Sequence, residues 1–369
     1  MCAALGSAAF GMLAVVAPAR LGAQAGRDAW RPQTAPLFGI SYSPGIGLLL
    51  AAGITHTRYG FRALPPSARL RAEAVYATGV RRFRVDIAAE LRRPGPPTVF
   101  NIELHASGLE LTRFYGVGNE SDGSQPDSVY RLRQEQVLLL PAATFPLAPH
   151  LRLTAGPVLA YAHTHDDPGT VLATSGPYYG SGDFGQVGAR VLLDFDTRDH
   201  PTAPARGIRA TLAGEPYPAV WNVVDPFARV SAEASAYLSA GDPPTATLAA
   251  RIGGILVAGT VPFQDLAYVG GGTTVRGYAE QRFAGRRGAY ANVELRLLAG
   301  RVSLGDVGVF GLADVGRVWV TGESSDRWHA AAGGGLWFAW RHRRANTLSI
   351  ALARSPERTA TYLRAGFMF

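Results

Sequence analysis

The sequence predicts an all-β chain, a transmembrane antiparallel β-barrel of about 16 strands. Three observations carry that expectation. Segment after segment alternates apolar and polar residues with a period of two, which gives a strand one apolar and one polar face. Many of these segments run to about 10 residues or more, long for a soluble strand and suited to a tilted membrane-spanning one. The first two odd-numbered connections are short, but every long connection falls on one side, as in barrels with short periplasmic turns and long external loops. Hydrophobic residues make up 47% of the 369 residues, yet no internal apolar run approaches a membrane helix in length.

The elements follow in chain order. "LGSAAFGMLAVVAPA" is a short apolar run, and Ala23-Gln24-Ala25 has the small-x-small form of a signal-peptidase site. Residues 1–25 are therefore expected to be a signal peptide, residues 26–36 a short N-terminal segment, and residues 37–369 the barrel. Strands are expected to begin near residues 37, 46, 68, 81, 98, 129, 150, 182, 206, 226, 246, 289, 304, 328, 346 and 361. "RLRAEAVY" opens the alternation clearly. In "RFRVDIAAEL", Phe83, Val85, Ile87, Ala89 and Leu91 share one face, and Arg82, Arg84, Asp86 and Glu90 the other. "YANVELRL" sets Tyr290, Asn292, Glu294 and Arg296 against Ala291, Val293, Leu295 and Leu297.

Connections after even-numbered strands are short and often proline-rich: "ALPPS", "RPGPPT", "PLAP", "HPTAPA", "GDPPT". The long ones, "GVGNESDGSQPDS", "DDPGTVLATSGPYYGSG" and the segment carrying "GGGTTVRGY", all follow odd-numbered strands. Asp196, Arg198 and Asp199 in "DFDTRD" read as a charged turn that ends a strand. Trp319, Trp337, Tyr362 and Phe369 lie near strand ends, where girdle formation at the membrane interfaces and ordinary packing are both open.

Composition narrows the chemistry. The formal net charge is +8, or +7 once the signal with its single arginine (Arg20) is removed. All 36 basic residues are arginine, dispersed beside acids with no basic block, which argues against nucleic acid as a partner. The one cysteine, Cys2, lies in the expected signal, so disulfide frameworks, thiolate metal sites and cysteine nucleophiles are not expected. Of the eight histidines, His163 and His165 in "HTHDD" share a strand face, but a metal site needs more converging ligands. No G-x-S-x-G elbow occurs. Neither an enzyme nor a cofactor or metal is expected.

The stretch Gly270-Gly271-Gly272-Thr273-Thr274-Val275-Arg276-Gly277-Tyr278 sets an arginine among glycines, which permit backbone conformations other residues resist. Taken alone, Arg276 reads first as a solvated loop residue. Parity places Asp314 on one face with Asp306, Gly308 and Gly316, opposite Val309, Ala313 and Val315. An arginine held in a narrow lumen would need such a carboxylate.

Five segments in order resemble the BamA/TamA-like outer-membrane assembly superfamily, also called bacterial surface antigen proteins. "FYGVGNES" (114–121) is similar to its FFGLGNxS segment, and "DFDTRDHPTAPARG" (194–207) to its DTRDxPxxPxRG segment. "VRGY" (275–278) matches its VRGF/Y loop motif, while "ANVELR" (291–296) and "LADVGRVW" (312–319) resemble the strands after that loop. The resemblance covers about residues 37–369. It implies that the VRGY loop folds back into the barrel and that Arg276 pairs with Asp314, the aspartate of an FxDxG motif on the thirteenth barrel strand. Leu312 stands where the family has phenylalanine. The ending "AGFMF", with Gly366, Phe367 and Phe369, is similar to the C-terminal signal read by the barrel-assembly machinery.

Family members insert barrels into the outer membrane or move polypeptides across it, through a weak seam between first and last strands. The implied partners are outer-membrane lipids, the barrel-assembly machinery for the chain's own insertion, a polypeptide substrate and a separate periplasmic protein. Residues 26–36 leave no room for a periplasmic POTRA domain ahead of the first strand, so on this expectation either a separate periplasmic protein supplies substrate capture or the barrel itself suffices. The alternative is a passive outer-membrane pore or structural barrel with no insertase activity; an inserted Arg276 loop would plug such a pore.

Overall fold

Backbone in hydrocarbon must satisfy every N–H and C=O internally, and strands achieve this by pairing edge to edge. The computed structural model describes residues 31–43, 47–60, 63–93, 95, 97–340 and 343–369. The expected signal peptide and His342 lie outside the described residues. The first strands are β1 (Gln33–Ser43), β2 (Gly47–Gly60), β3 (Ala63–Ala77), β4 (Arg82–Arg92), β5 (Val99–Arg113) and β6 (Arg131–Ala148). Next come β7 (Leu151–Thr164), β8 (Gly182–Asp196), β9 (Gly207–Tyr217), β10 (Phe227–Ala240), β11 (Ala246–Gly259), β12 (Ala267–Val269) and β13 (Phe283–Gly285). The last are β14 (Arg287–Val302), β15 (Gly305–Trp319), β16 (His329–Trp340), β17 (Arg343–Arg354) and β18 (Thr359–Ala365).

Sixteen of these form one antiparallel sheet in sequence order; β12 and β13 form a separate two-stranded sheet inside the connection between β11 and β14. All sixteen starts fall within a few residues of the expected positions. The largest departure is β3, which reaches back through Pro65 and Pro66 to Ala63, so "ALPPS" is not a turn. Pairing is irregular there, between Arg58 and Gly60, and such an irregularity accommodates proline in a sheet. Among the described residues no register joins β18 to β1, and β18 is only 7 residues long.

Burial is inverted relative to a soluble protein. Phe38, Phe83, Leu212, Leu238, Ile252, Leu295, Leu336, Leu352 and Leu363 are exposed on the outer face, whereas Gln134, Gln186, Arg251, Asn292, Glu294 and Arg296 are buried inside. An apolar surface this extensive needs lipid rather than water against it. No helix among the described residues is long and apolar enough to cross a membrane, so any crossing is made by strands.

One barrel end carries the long connections, which hold the short helices α1 (Asp127–Tyr130) and α2 (Val171–Thr174). The opposite end carries turns, the longest among the described residues spanning 197–206. There Asp196 takes a two-pronged contact from Arg198, at 2.9 and 2.8 Å. Asp199 accepts from the backbone N–H groups of Ala205 and Arg206, so this charged cluster shapes the turn. The girdle reading fails for three of its four aromatics. Trp337 packs with Phe310 and Phe367 inside the barrel, Tyr362 reaches the VRGY loop, and Phe369 turns inward; Trp319 is partly exposed.

Candidate functional site in the barrel lumen

The connection between β11 and β14 enters the lumen because part of the inner wall is apolar. Val269, Val275, Tyr278 and Phe283 bury against Val318 and Ala331 of β15 and β16. Within the loop, Thr274 Oγ1 accepts from the Gly270 N–H at 2.7 Å and donates to the Gly270 carbonyl at 3.1 Å, closing a tight turn. Gly272 N–H donates to Glu280 Oε1 at 2.7 Å, and Gly270 and Gly271 both adopt positive φ. Gly277 has φ +85, and a Cβ there would meet Ser355 N at 3.0 Å. Its N–H donates to Tyr362 Oη at 2.9 Å and its carbonyl accepts from Ser355 Oγ at 2.7 Å, so only glycine fits this approach to the wall.

That backbone delivers Arg276, 2% exposed, into a carboxylate cradle. Its Nε donates to Asp314 Oδ2 and its Nη2 to Asp314 Oδ1, both at 2.7 Å, a bidentate fork; its own backbone N–H adds 3.0 Å to Oδ2. Its Nη1 donates to Glu294 Oε1 at 2.5 Å. Glu294 Oε2 in turn accepts from Arg296, at 2.9 Å from Nε and 2.7 Å from Nη2. Asn292 Nδ2 donates to Asp314 Oδ1 at 2.8 Å and to the Thr274 carbonyl at 2.6 Å. Two guanidiniums and two carboxylates thus balance. A buried pair needs this excellent geometry to offset desolvation, and the planar fork is what lysine lacks.

Sequence reasoning placed Arg276 and Asp314 but missed Glu294 and Asn292. Both stand on the polar face of "YANVELRL", which was visible. Their convergence was not, because it depends on the register that pairs Asn292 with Asp314 and Glu294 with Leu312. Leu312 itself lies in an apolar cluster with Phe310, Ala351 and Ala353, beside Tyr362 and Phe367.

Other motifs surround the loop. Tyr278, 2% exposed, packs edge-on to Phe283 and His329, and its carbonyl accepts from Arg358 at 3.2 Å. From "FYGVGNES", buried Asn119 donates to the Arg327 carbonyl at 2.7 Å and accepts from the Val318 N–H at 3.1 Å. Arg282 lies over Tyr115 and Phe283 and donates to Glu357 and Ser121, tying that segment to the loop. The "HTHDD" histidines stay apart from this site: His163 contacts Asp183 at 2.8 Å and His165 lies 3.6 Å from Glu135. Among the described residues no three His, Cys, Asp or Glu side chains converge as metal ligands do. Gly366, with φ +85, turns Phe367 and Phe369 off the end of β18 into the lumen.

Against known proteins, the Omp85 superfamily domain matches residues 70–345. Among solved structures, the fold is similar to that of BamA from Haemophilus ducreyi lacking POTRA domains 1–3. The TM-score is 0.62 at 16% identity, over 91% of this chain and 69% of that one. CdiB from Escherichia coli aligns at TM-score 0.55 and 14% identity, over 90% of this chain and 62% of CdiB. CdiB from Acinetobacter baumannii aligns at 0.51 and 13%, over 90% and 59%. The chain therefore spans less than two thirds of either CdiB, and at these identities the likeness is one of fold. No curated protein matches the sequence.

Proposed function

The chain belongs to the Omp85 superfamily and is an outer-membrane β-barrel, and from that premise we propose that it inserts or exports polypeptides, with Arg276 and Asp314 as the latch of its lumen loop. The observation that carries this reading is the seating of Arg276 between Asp314 and Glu294 on the inner wall of the barrel. A passive pore gains nothing from a loop held across its own lumen by a buried ion network. A gate does, because such a network has two discrete states, docked and released.

No bond is made or broken. The work is conformational: the docked loop keeps the lumen closed and braces β17 and β18 through Ser355, Arg358 and Tyr362. β18 has an unpaired edge among the described residues. That edge is the place where an incoming strand would add by hydrogen-bonding to free backbone groups. On this reading Val275 and Tyr278 anchor the loop, Gly270, Gly271, Gly272 and Gly277 shape it, and a separate periplasmic protein delivers the substrate.

The test is assisted folding. Liposomes containing the protein should accelerate the folding of a urea-denatured bacterial outer-membrane barrel, read as gel mobility without heating, relative to empty liposomes. The Arg276→Ala variant should lose most of the acceleration. No acceleration, together with a large steady conductance in planar bilayers, would establish the passive pore instead.

A further inference from the structure

The lumen holds a second occupant that the loop latch does not explain. Past β18, Gly366 donates its N–H to the Thr347 carbonyl at 2.7 Å, and its carbonyl accepts from Ser349 Oγ at 2.6 Å. At this turn, with φ +85, the chain leaves the wall. Phe367 lies with its ring 3.8 Å from the Arg296 guanidinium carbon, edge-on to Phe310 and Trp337. Phe369 sits 5.0 Å from the Arg251 guanidinium carbon, beside Tyr237, and its main-chain oxygen accepts from Arg296 Nη2 at 2.9 Å. The turn 197–206 closes the far side. The Pro204 carbonyl accepts from Arg296 Nη1 at 3.2 Å and the Thr202 carbonyl from the Phe367 N–H at 3.3 Å. Arg251 and Arg296 are 6% and 4% exposed, so these are desolvated cations on aromatic faces, where such contacts are strongest.

Both arginines also reach the VRGY loop. Arg296 shares Glu294 with Arg276. Arg251 Nη2 donates to the Thr273 carbonyl at 2.8 Å and to Asn292 Oδ1 at 2.7 Å. Two separate bridges therefore run from the aromatic segment to the loop.

We propose that Arg251, Arg296, Tyr237 and the 197–206 turn form a binding site for a short peptide of aromatic-x-aromatic pattern, occupied here by Phe367–Phe369, and that its occupancy is coupled to docking of the VRGY loop. The guanidiniums recognise ring faces and the main-chain oxygen of the last aromatic residue, and the turn carbonyl recognises a backbone N–H. None of these contacts reads Met368. When the segment leaves, Arg296 loses its aromatic cover and Glu294 loses a rigidly placed partner, so the Arg276 cradle loosens. The site concerns the chain's own segment and so stands apart from the polypeptide-handling reading.

The test uses the full chain in detergent with Cys2→Ser. A labelled peptide Ala-Gly-Phe-Met-Phe is titrated into this parent, into Phe367→Ala/Phe369→Ala, and into that variant with Arg296→Ala added. The peptide should bind the double variant at least tenfold more tightly than the parent and lose that gain with Arg296→Ala. Coupling is read with Thr273→Cys: its maleimide labelling should quicken about tenfold in the double variant and slow again on adding peptide. Gel mobility without heating verifies that each barrel is folded. A folded double variant that binds no peptide, or binds no better than the parent, overturns the site. Labelling of Thr273→Cys that is the same in parent and double variant overturns the coupling. If the peptide binds but assisted folding is absent, the site stands and the insertase reading falls.

Discussion

Asp314→Asn isolates the charge of the proposed latch, because asparagine keeps the shape of aspartate. In the native cluster Arg276 and Arg296 balance Asp314 and Glu294, all at most 4% exposed. The substitution leaves one net buried positive charge and turns one acceptor of the fork into an amide that faces the guanidinium. Removing one partner of a buried pair costs about 3–5 kcal/mol. Here the loop can escape into water, so the cost appears as undocking rather than unfolding. A loss of about 3 kcal/mol raises the undocked-to-docked ratio by about 100-fold. Arg276→Ala leaves the opposite imbalance, since Glu294 keeps Arg296 while Asp314 keeps Asn292 alone, and should cost a similar amount. Arg276→Ala/Asp314→Ala retains the neutral Glu294–Arg296 pair, so it should be milder than the sum of the two singles by about 2 kcal/mol. Planar-bilayer recording reads this as time spent at high conductance: brief in the native barrel, long in both single variants. If folded single variants record like the native barrel, or the double is as severe as their sum, the latch argument is wrong.

Further outcomes follow from the same geometry. Glu294→Gln strips Arg276 and Arg296 of their shared carboxylate together, and should raise high-conductance time at least as much as Asp314→Asn in the same recordings. Gly277→Ala forces a Cβ into a φ +85 turn against Ser355; undocking should become easier by about 1–3 kcal/mol, read as faster hydrogen exchange across 270–280 with the strands unchanged. Near α1, burial raises the Asp127 carboxyl, but bonds from Arg113 and Arg131 more than offset this and hold it below its ordinary 3.8. A depressed carboxyl contributes stability that is present above its unfolded value and is lost as pH falls through its folded value. Protease nicking of 114–130 should therefore be slow at about pH 6 and increase below about pH 4. An acid-stable protease that cuts equally at both values would contradict the assignment.

The strands were legible in the sequence because a barrel wall is a local pattern. Each outward Phe83, Val85 or Leu295 meets lipid and each inward Asn292, Glu294 or Arg296 meets the lumen, so period two reports the face directly. Arg276 and Asp314 were legible only through motifs, since neither residue's chemistry announces the other across the intervening chain. Interior partners escaped for a physical reason. Glu294 reaches the same guanidinium as Asp314 because the β14–β15 register sets Asp314 opposite Asn292, one lumen position from Glu294, and register follows from the whole sheet. For Trp337, Tyr362 and Phe369, near strand ends, girdle and packing were both open; the backbone turn at Gly366 and strand parity sent them inward. Where the alternation is unbroken, the sequence alone determined which residues face lipid and which face the lumen. Only the tertiary structure decided which lumen residues meet, because the curl of the sheet brings side chains from distant strands into contact across a common interior.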